Sequence, residues 1–312
     1  MFGYIIKRIL LALLTLVFVT CLTFILMNTV PGGPFLGEKA ISPRVLAELE
    51  AKYGLDRPLP VQLKNYVVSL LKGDLGVSLK MQKNRPIRTI IGEMFPTSAK
   101  IGVIAILWAV LVGVSFGCVA AYHRGKWADS LLQVITTLGI AFPSFVSATV
   151  LLVCFAGGIF HIFPTSGLSR GALSYVLPCF TLGLTPMCSI ARYTRSSMLD
   201  VLNKEYIKTA RAYGYSIPEV IFKHALRNAL IPVVTYMGPM TAAVLTGGFV
   251  VETVFNIPGL GRYFIQSISN RDYPLIMGTT IFLAALVVLM SLVVDILYKV
   301  IDPRIEIANE QG

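Results

Sequence analysis

The chain has 312 residues, of which 55% are hydrophobic and only 14% charged, with a formal net charge of +11 and a mean hydropathy of +0.73. Several charge-free runs exceed the roughly 18 residues a helix needs to cross a bilayer, which places the chain in a membrane. The runs are continuously apolar rather than alternating, which argues against a β-barrel.

Six spans are expected, at residues 9–30, 101–122, 130 to about 156, 171–191, 228–251 and 273–294. The fold class is therefore an all-α integral membrane protein with six transmembrane helices. Lys7 and Arg8 precede the first span. Its apolar run is too long for the core of a signal peptide and no small-residue cleavage site follows, so residues 1–30 are expected to stay as a first transmembrane helix.

Residues 31–94 read as an extracytoplasmic region of short amphipathic helices. In SPRVLAELEAKYG, Ser42 is the expected N-cap, Pro43 lies in the first turn and Gly54 terminates the helix. In PVQLKNYVVSLLKGD, Val61, Leu63, Tyr66, Val67, Leu70 and Leu71 fall largely on one face. Such a face serves either as a docking surface for an extracytoplasmic partner or as a cap packed on the bundle.

A core of five spans follows at 95–295, then a cytoplasmic tail at 296–312. The charge-free run 130–169 is too long for one span, so it is broken at Gly157-Gly158, leaving His161 and Pro164 in an interfacial loop. Pro143, Pro178, Pro186, Pro232 and Pro239 lie within spans. Proline in a membrane helix frees carbonyls and bends the axis, which suits a pathway that opens and closes.

Lys and Arg counts set the orientation. With the N-terminus inside, short inside segments hold Lys7, Arg8, Arg124, Lys126, seven residues from Arg192 to Arg227, Lys299 and Arg304, against Arg170, Arg262 and Arg271 outside. Both termini are expected in the cytoplasm. The positive charge follows this topology and does not point to nucleic acid, since no aromatic–basic patch accompanies it.

No Asp, Glu, Lys or Arg lies near the middle of a span; Lys100 and Glu252 fall at outer ends, and Asp295 stands four residues before Lys299 as an expected ion pair. Carriers driven by ions or protons usually place such groups at the midplane, so that class is disfavoured, with an ATP-independent channel or carrier as the alternative from another class. No phosphate-binding loop is present, so any nucleotide that drives transport is bound by another chain. Cys21, Cys118, Cys154, Cys179 and Cys188 all fall in apolar spans, and His123, His161 and His224 are scattered. No disulfide framework, metal site or catalytic residue is expected.

The stretch EYIKTARAYGYSIPEVIFKHALRNALIP, between two apolar runs, is the candidate functional segment. Lys204, Lys208 and Arg211 form a basic stripe, while Thr209 and the small Ala210 and Ala212 lie between. Gly214 ends the first helix through a positive φ. Ser216 and Glu219 stand three apart as a capping box with Pro218 in the first turn. Ile217, Val220, Ile221 and Ala225 then make an apolar face, with Lys223 and Arg227 one turn apart. This helix–turn–helix elbow, residues 204–228, reads as an amphipathic segment that inserts into a groove on a cytosolic protein.

TARAYG (209–214) followed by HALRNALIP (224–232) resembles the cytoplasmic loop motif of ABC importer membrane subunits: Glu-Ala-Ala, three residues, Gly, nine residues, then Ile-x-Leu-Pro. Ala210, Gly214 and Leu226 match. Lys208, Thr209, His224 and Arg227 depart in the manner of the peptide/nickel subclass, so no role of the motif's Glu is carried over. NTVPGGPF, FPTSAKIG, FPSF, RYTRSSMLDVL, VVTYMGPM, IPGLG, NRDYPLIM and DILYKVIDPR are similar to segments of the B-type membrane subunits of oligopeptide permeases. The GPF ending and MGPM favour oligopeptide over dipeptide or nickel relatives. The resemblance implies a type I ABC importer fold in a bacterial inner membrane, a homologous C-type permease partner, two cytosolic ATPases that bind ATP and Mg, and an extracytoplasmic peptide-binding protein. It implies that Lys208, Thr209, Ala210, Arg211, Ala212, Gly214, Ser216, Pro218, Glu219, His224 and Arg227 couple to the ATPase, with no cofactor in this chain.

Overall fold

The structure is a computed structural model that describes residues 2–29 and 43–301. In chain order the helices are α1 (Phe2–Thr29), α2 (Pro43–Tyr53), α3 (Leu59–Leu71), α4 (Ile87–Tyr122), α5 (Trp127–Ala141), α6 (Ser144–Leu152), α7 (Leu173–Leu202), α8 (Glu205–Ala212), α9 (Ile217–Glu219), α10 (Leu226–Ala229), α11 (Ile231–Gly247), α12 (Phe249–Val254), α13 (Leu260–Asn270) and α14 (Tyr273–Ile301). Val153–Gly157 extends α6 as a π-helix, and Val220–Ala225 joins α9 to α10 in the same way.

Five helical stretches are long and apolar enough to cross a membrane, and α5 with α6 supplies a sixth only as a pair bent by 103°. The expected third span is thus not straight. Pro143 pushes Phe142 out of the helical region, to ψ 123°, because the residue before a proline clashes in the α conformation. Pro143 itself sits at ψ 142° and starts α6. The break falls there, while Gly157 closes the π-helical end as expected. Span α4 begins at Ile87, well before the apolar run, and α7 continues to Leu202 beyond it; hydropathy windows record the bilayer-crossing part of a helix and not its polar extensions.

Residues 30–35 of the NTVPGGPF segment, Ser42 and the final DPR lie outside the described residues, as do the side chains of Asp295 and Lys299. Pro43 opens α2, and Gly54 follows it at φ +68°. The apolar face of α3 is only half covered: Leu63, Tyr66, Val67 and Leu70 are half-buried, Val61 and Leu71 are exposed, and no α3 residue is buried.

The chain divides into two compact units, Met1–Thr97 with Gly259–Val288, and Ser98–Pro258 with Leu289–Gly312. In the second, α7 is the central helix and packs against α5, α6, α10, α11 and α12. Lipid is as apolar as leucine, so membrane helices gain little from burying apolar surface against one another and rely on close backbone approach. The Gly113-x-x-x-Gly117 spacing on α4 supplies that approach. A Cβ at Gly113 would stand 2.7 Å from the Met187 carbonyl oxygen, and one at Gly117 2.6 Å from that of Ala191. Near the α5 start, the buried Asp129 carboxylate is bridged in bidentate fashion by Arg195 of α7, with Nε at 2.6 Å and Nη2 at 2.8 Å. It also accepts from the Gly125 amide at 3.0 Å and from Gln133 at 2.9 Å. Burying one carboxylate requires such a full set of donors.

In the first unit the corresponding anchor is Asp272, which is fully buried just ahead of α14. Its carboxylate accepts from Ser78 Oγ (2.5 Å) and from the backbone amides of Leu79 (3.0 Å), Lys80 (3.1 Å) and Met81 (3.0 Å). Three successive amides around one anion form a nest. Ser78 Oγ accepts in turn from the Gln82 amide at 3.0 Å, and Gln82 Nε2 donates to the Tyr263 hydroxyl at 2.9 Å. The segment before α4 is thereby held to α13 and the start of α14.

Replacing Asp272 by Asn removes the anion and turns an amide group toward three donors. Losing charge-assisted hydrogen bonds there is worth about 2 kcal/mol of local opening free energy, or about 30-fold faster hydrogen exchange at Leu79, Lys80 and Met81. Unchanged exchange at those amides in Asp272→Asn would contradict the anchor.

Candidate functional site

The elbow is built from α8, α9, the π-helical turn and α10, all in the second unit. Lys204, in extended conformation at ψ 149°, starts α8. Lys208 Nζ pairs with Glu205 at 2.7 Å on the exposed surface, and the Thr209 hydroxyl donates back to the Glu205 carbonyl at 3.1 Å. A pair this exposed contributes little to stability. Arg211 and Ala212 are exposed, whereas Ala210 is buried.

The turn closes through Gly214 at φ +82°. The Gly214 amide donates to the Arg211 carbonyl (3.0 Å) and the Tyr215 amide to that of Ala210 (3.4 Å). These are the two bonds of a Schellman ending, which satisfies the last carbonyls of α8. No atom lies within 4 Å of where a Gly214 Cβ would stand, so glycine is required here for backbone conformation and not for space.

Ser216, at ψ 154°, begins the second arm. The Glu219 carboxylate accepts from the Ser216 hydroxyl at 2.6 Å and from its amide at 2.9 Å. Those bonds, hydroxyl first, hold the Glu219 carboxyl below the usual carboxylate range, with Lys223 and His224 adding to the effect. Pro218 stands in the first turn, exposed. The two arms are tied by Asn228 Nδ2, which donates to the Tyr206 hydroxyl at 2.8 Å. His224 is half-buried, its ring 5.0 Å from that of Tyr215 and its Nε2 buried with no hydrogen-bond partner. Arg227 is exposed.

One expectation about this segment is corrected. Val220 and Ala225 do not present an apolar face to water: with Ile207, Ala210 and Ala229 they pack around Met198 and Val201 of α7 and Ala121 of α4, and Ile221 is half-buried beside them. The most exposed apolar side chains are instead Tyr213 (81% exposed), Phe222 (69%) and Ile217 (52%). The π-helical turn is the cause. Its i→i+5 bonding over Val220–Ala225 departs from the 3.6-residue spacing, and Val220 and Ala225 both turn inward while Phe222 faces out.

The site is thus a rigid elbow: an inner face fused to two membrane helices, and an outer face of aromatic, aliphatic and basic side chains. Among the described residues no group of three or more His, Cys, Asp or Glu gathers in a metal-binding arrangement.

Two family models match the chain: the binding-protein-dependent transport system inner membrane component over residues 113–307, and the N-terminal part of the same class of membrane component over residues 1–101. The chain belongs to this family of inner-membrane permease subunits. The dipeptide transport system permease protein DppB of Bacillus subtilis is 42% identical to it over 98% of this chain and 99% of the relative. The oligopeptide transport system permease protein OppB of Haemophilus influenzae is 42% identical, and that of Escherichia coli K12 41%, each over 98% of this chain and 99% of the relative. An inward-facing structure of the MetNI methionine ABC transporter shares the fold, with a TM-score of 0.54 at 16% identity, covering 69% of this chain and 97% of that one.

Gly214 provides the sharpest test of the elbow. A β-branched residue at φ +82° is strained by roughly 1–2 kcal/mol or more, while Asn tolerates the left-handed region. Gly214→Val is expected to lower transport by the assembled system, and Gly214→Asn to retain most of it. Equal activity of both variants and the parent would contradict a required turn.

Proposed function

We propose that this chain is one of the two membrane subunits of an ABC importer for oligopeptides, and that the elbow at residues 204–228 seats in a cleft on a cytosolic ATPase. Family membership supports the importer class, and the outward Tyr213, Ile217 and Phe222, with Lys208, Arg211 and Arg227 exposed around them, support docking. Aromatic and arginine side chains are the residue types that anchor protein interfaces. Both termini and the elbow lie on the cytoplasmic side in this reading, and residues 31–94 on the other.

The partners are a homologous permease subunit, two ATPases that bind ATP and Mg and perform the hydrolysis, and an extracytoplasmic peptide-binding protein. Thr209, Ala210, Ala212, Ser216, Pro218, Glu219 and His224 shape the elbow that Lys208, Arg211, Gly214 and Arg227 present. When the ATPases close, the elbow moves with them and carries α7, which switches the bundle between inward- and outward-open states. The elbow transmits this motion because its inner face is packed to α4 and α7. The 42% identity to a DppB favours dipeptides as a second reading of the cargo.

Reconstitution decides between these. The chain alone in liposomes is expected to transport nothing; with its partners it takes up labelled tetra- and pentapeptides only when ATP is supplied. Uptake driven by an ion gradient without ATP would overturn the importer reading. Uptake of dipeptides alone would overturn the oligopeptide assignment.

A further inference from the structure

Away from the elbow, α4 and α7 border a cleft of about 480 Å³ in the second unit. That lies within the roughly 300–1,000 Å³ of small-molecule sites. Its walls are apolar, from Ile104 and Trp108 on α4 and Val176 and Phe180 on α7. The walls are pre-organised. Trp108 Nε1 donates to the Cys179 carbonyl at 2.8 Å, and its ring stacks on Phe180 with centroids 5.0 Å apart and planes 4° from parallel.

One charged group borders the cleft. Lys100 Nζ stands 4.3 Å from the Tyr175 ring centroid, and the Lys100 side chain is exposed. No carboxylate pairs with it among the ion pairs of the described residues. Lys100 precedes the apolar run of α4 at its polar end, while the flanking Val103, Leu107 and Leu173 are exposed along the apolar surface. A cation at the polar end of an apolar slot, opening on a surface that the bilayer covers, is complementary to an amphiphile with an anionic head and an alkyl tail. Lysine near a helix end reaches for the interface, where lipid phosphates lie.

We infer that this cleft binds an anionic glycerophospholipid, with one acyl chain along Ile104, Trp108, Val176 and Phe180 and the phosphate held by Lys100. This is a membrane-lipid site separate from the elbow.

The chain has two tryptophans, and Trp127 is exposed at the start of α5. Trp127→Phe therefore leaves Trp108, in the cleft wall, as the only indole fluorophore. The full-length variant is placed in phosphatidylcholine vesicles and titrated with dibrominated phosphatidylglycerol or dibrominated phosphatidylcholine. Bromine quenches the indole only on contact. Brominated phosphatidylglycerol is expected to half-quench Trp108 at an about five-fold lower mole fraction than brominated phosphatidylcholine, the effect of one lysine at a membrane surface. Lys100→Gln should reduce that ratio to about one while quenching by the zwitterionic lipid persists, which shows the cleft intact; Lys100→Arg should keep the preference. Equal quenching by both lipids in the parent, or a preference that survives Lys100→Gln, would overturn the headgroup site. Absence of quenching by either lipid would mean that protein covers the cleft, and would overturn the proposal as a whole.

Discussion

The elbow is held in place by its packing against Met198. That side chain is fully buried on α7 within the cluster that holds Ile207 of the first arm and Val220 and Ala225 of the second. Because the cluster also includes Ala121 at the end of α4, the elbow is joined to two membrane helices at once. A surface loop without this cluster would flex under load. With it, the outer face is packed onto α7, the helix on which most of the second unit packs. Close-packed interiors transmit strain because they have little free volume to absorb it.

The bundle around α7 meets a second constraint: in hydrocarbon, backbone groups have to be satisfied within the protein. Two features follow. Glycines at 113 and 117 let α4 lie against α7 at backbone distance, where larger residues would hold it away. The broken third span keeps to the same rule: the Phe142 amide donates to the Leu138 carbonyl at 3.0 Å, and the Pro143 carbonyl accepts from the Val146 and Ser147 amides at 3.0 and 3.1 Å. Charges are placed by the same logic. Asp129 and Asp272 are both buried, and each is surrounded by donors, from Arg195 and the Gly125 amide in one case and from three successive amides and a hydroxyl in the other.

Much of this was legible in the sequence where the signal is local. Gly54 and Gly214 were expected to end helices because few residues other than glycine adopt positive φ, and both do so. The Ser216–Glu219 spacing was read as a cap, and the carboxylate bonds back to Ser216. Spans were visible as apolar runs and Pro143 as a bending proline, but the size of the bend, 103°, was not, since a hydropathy window continues across one proline. The outward orientation expected of Val220 and Ala225 does not hold, because an amphipathic assignment presumes 3.6 residues per turn and this turn is π-helical. Asp272 left no local trace: its hydroxyl partner Ser78 lies 194 residues away. Gly113 and Gly117 stood in the sequence at the spacing that marks helix contact, yet only the facing Met187 and Ala191 carbonyls show what they contact.

Tyr213, Ile217 and Phe222 lie on the outer face of the elbow, while Val220 belongs to its inner core. Single cysteines at these four positions, in a chain whose native cysteines are replaced by alanine, separate the two faces by their rate of reaction with a charged maleimide. The account predicts rapid labelling at 213, 217 and 222 in the chain without ATPases, protection at all three once the ATPases bind, and slow labelling at 220 in both states. Labelling at 213, 217 and 222 that is unaffected by ATPase binding would contradict it.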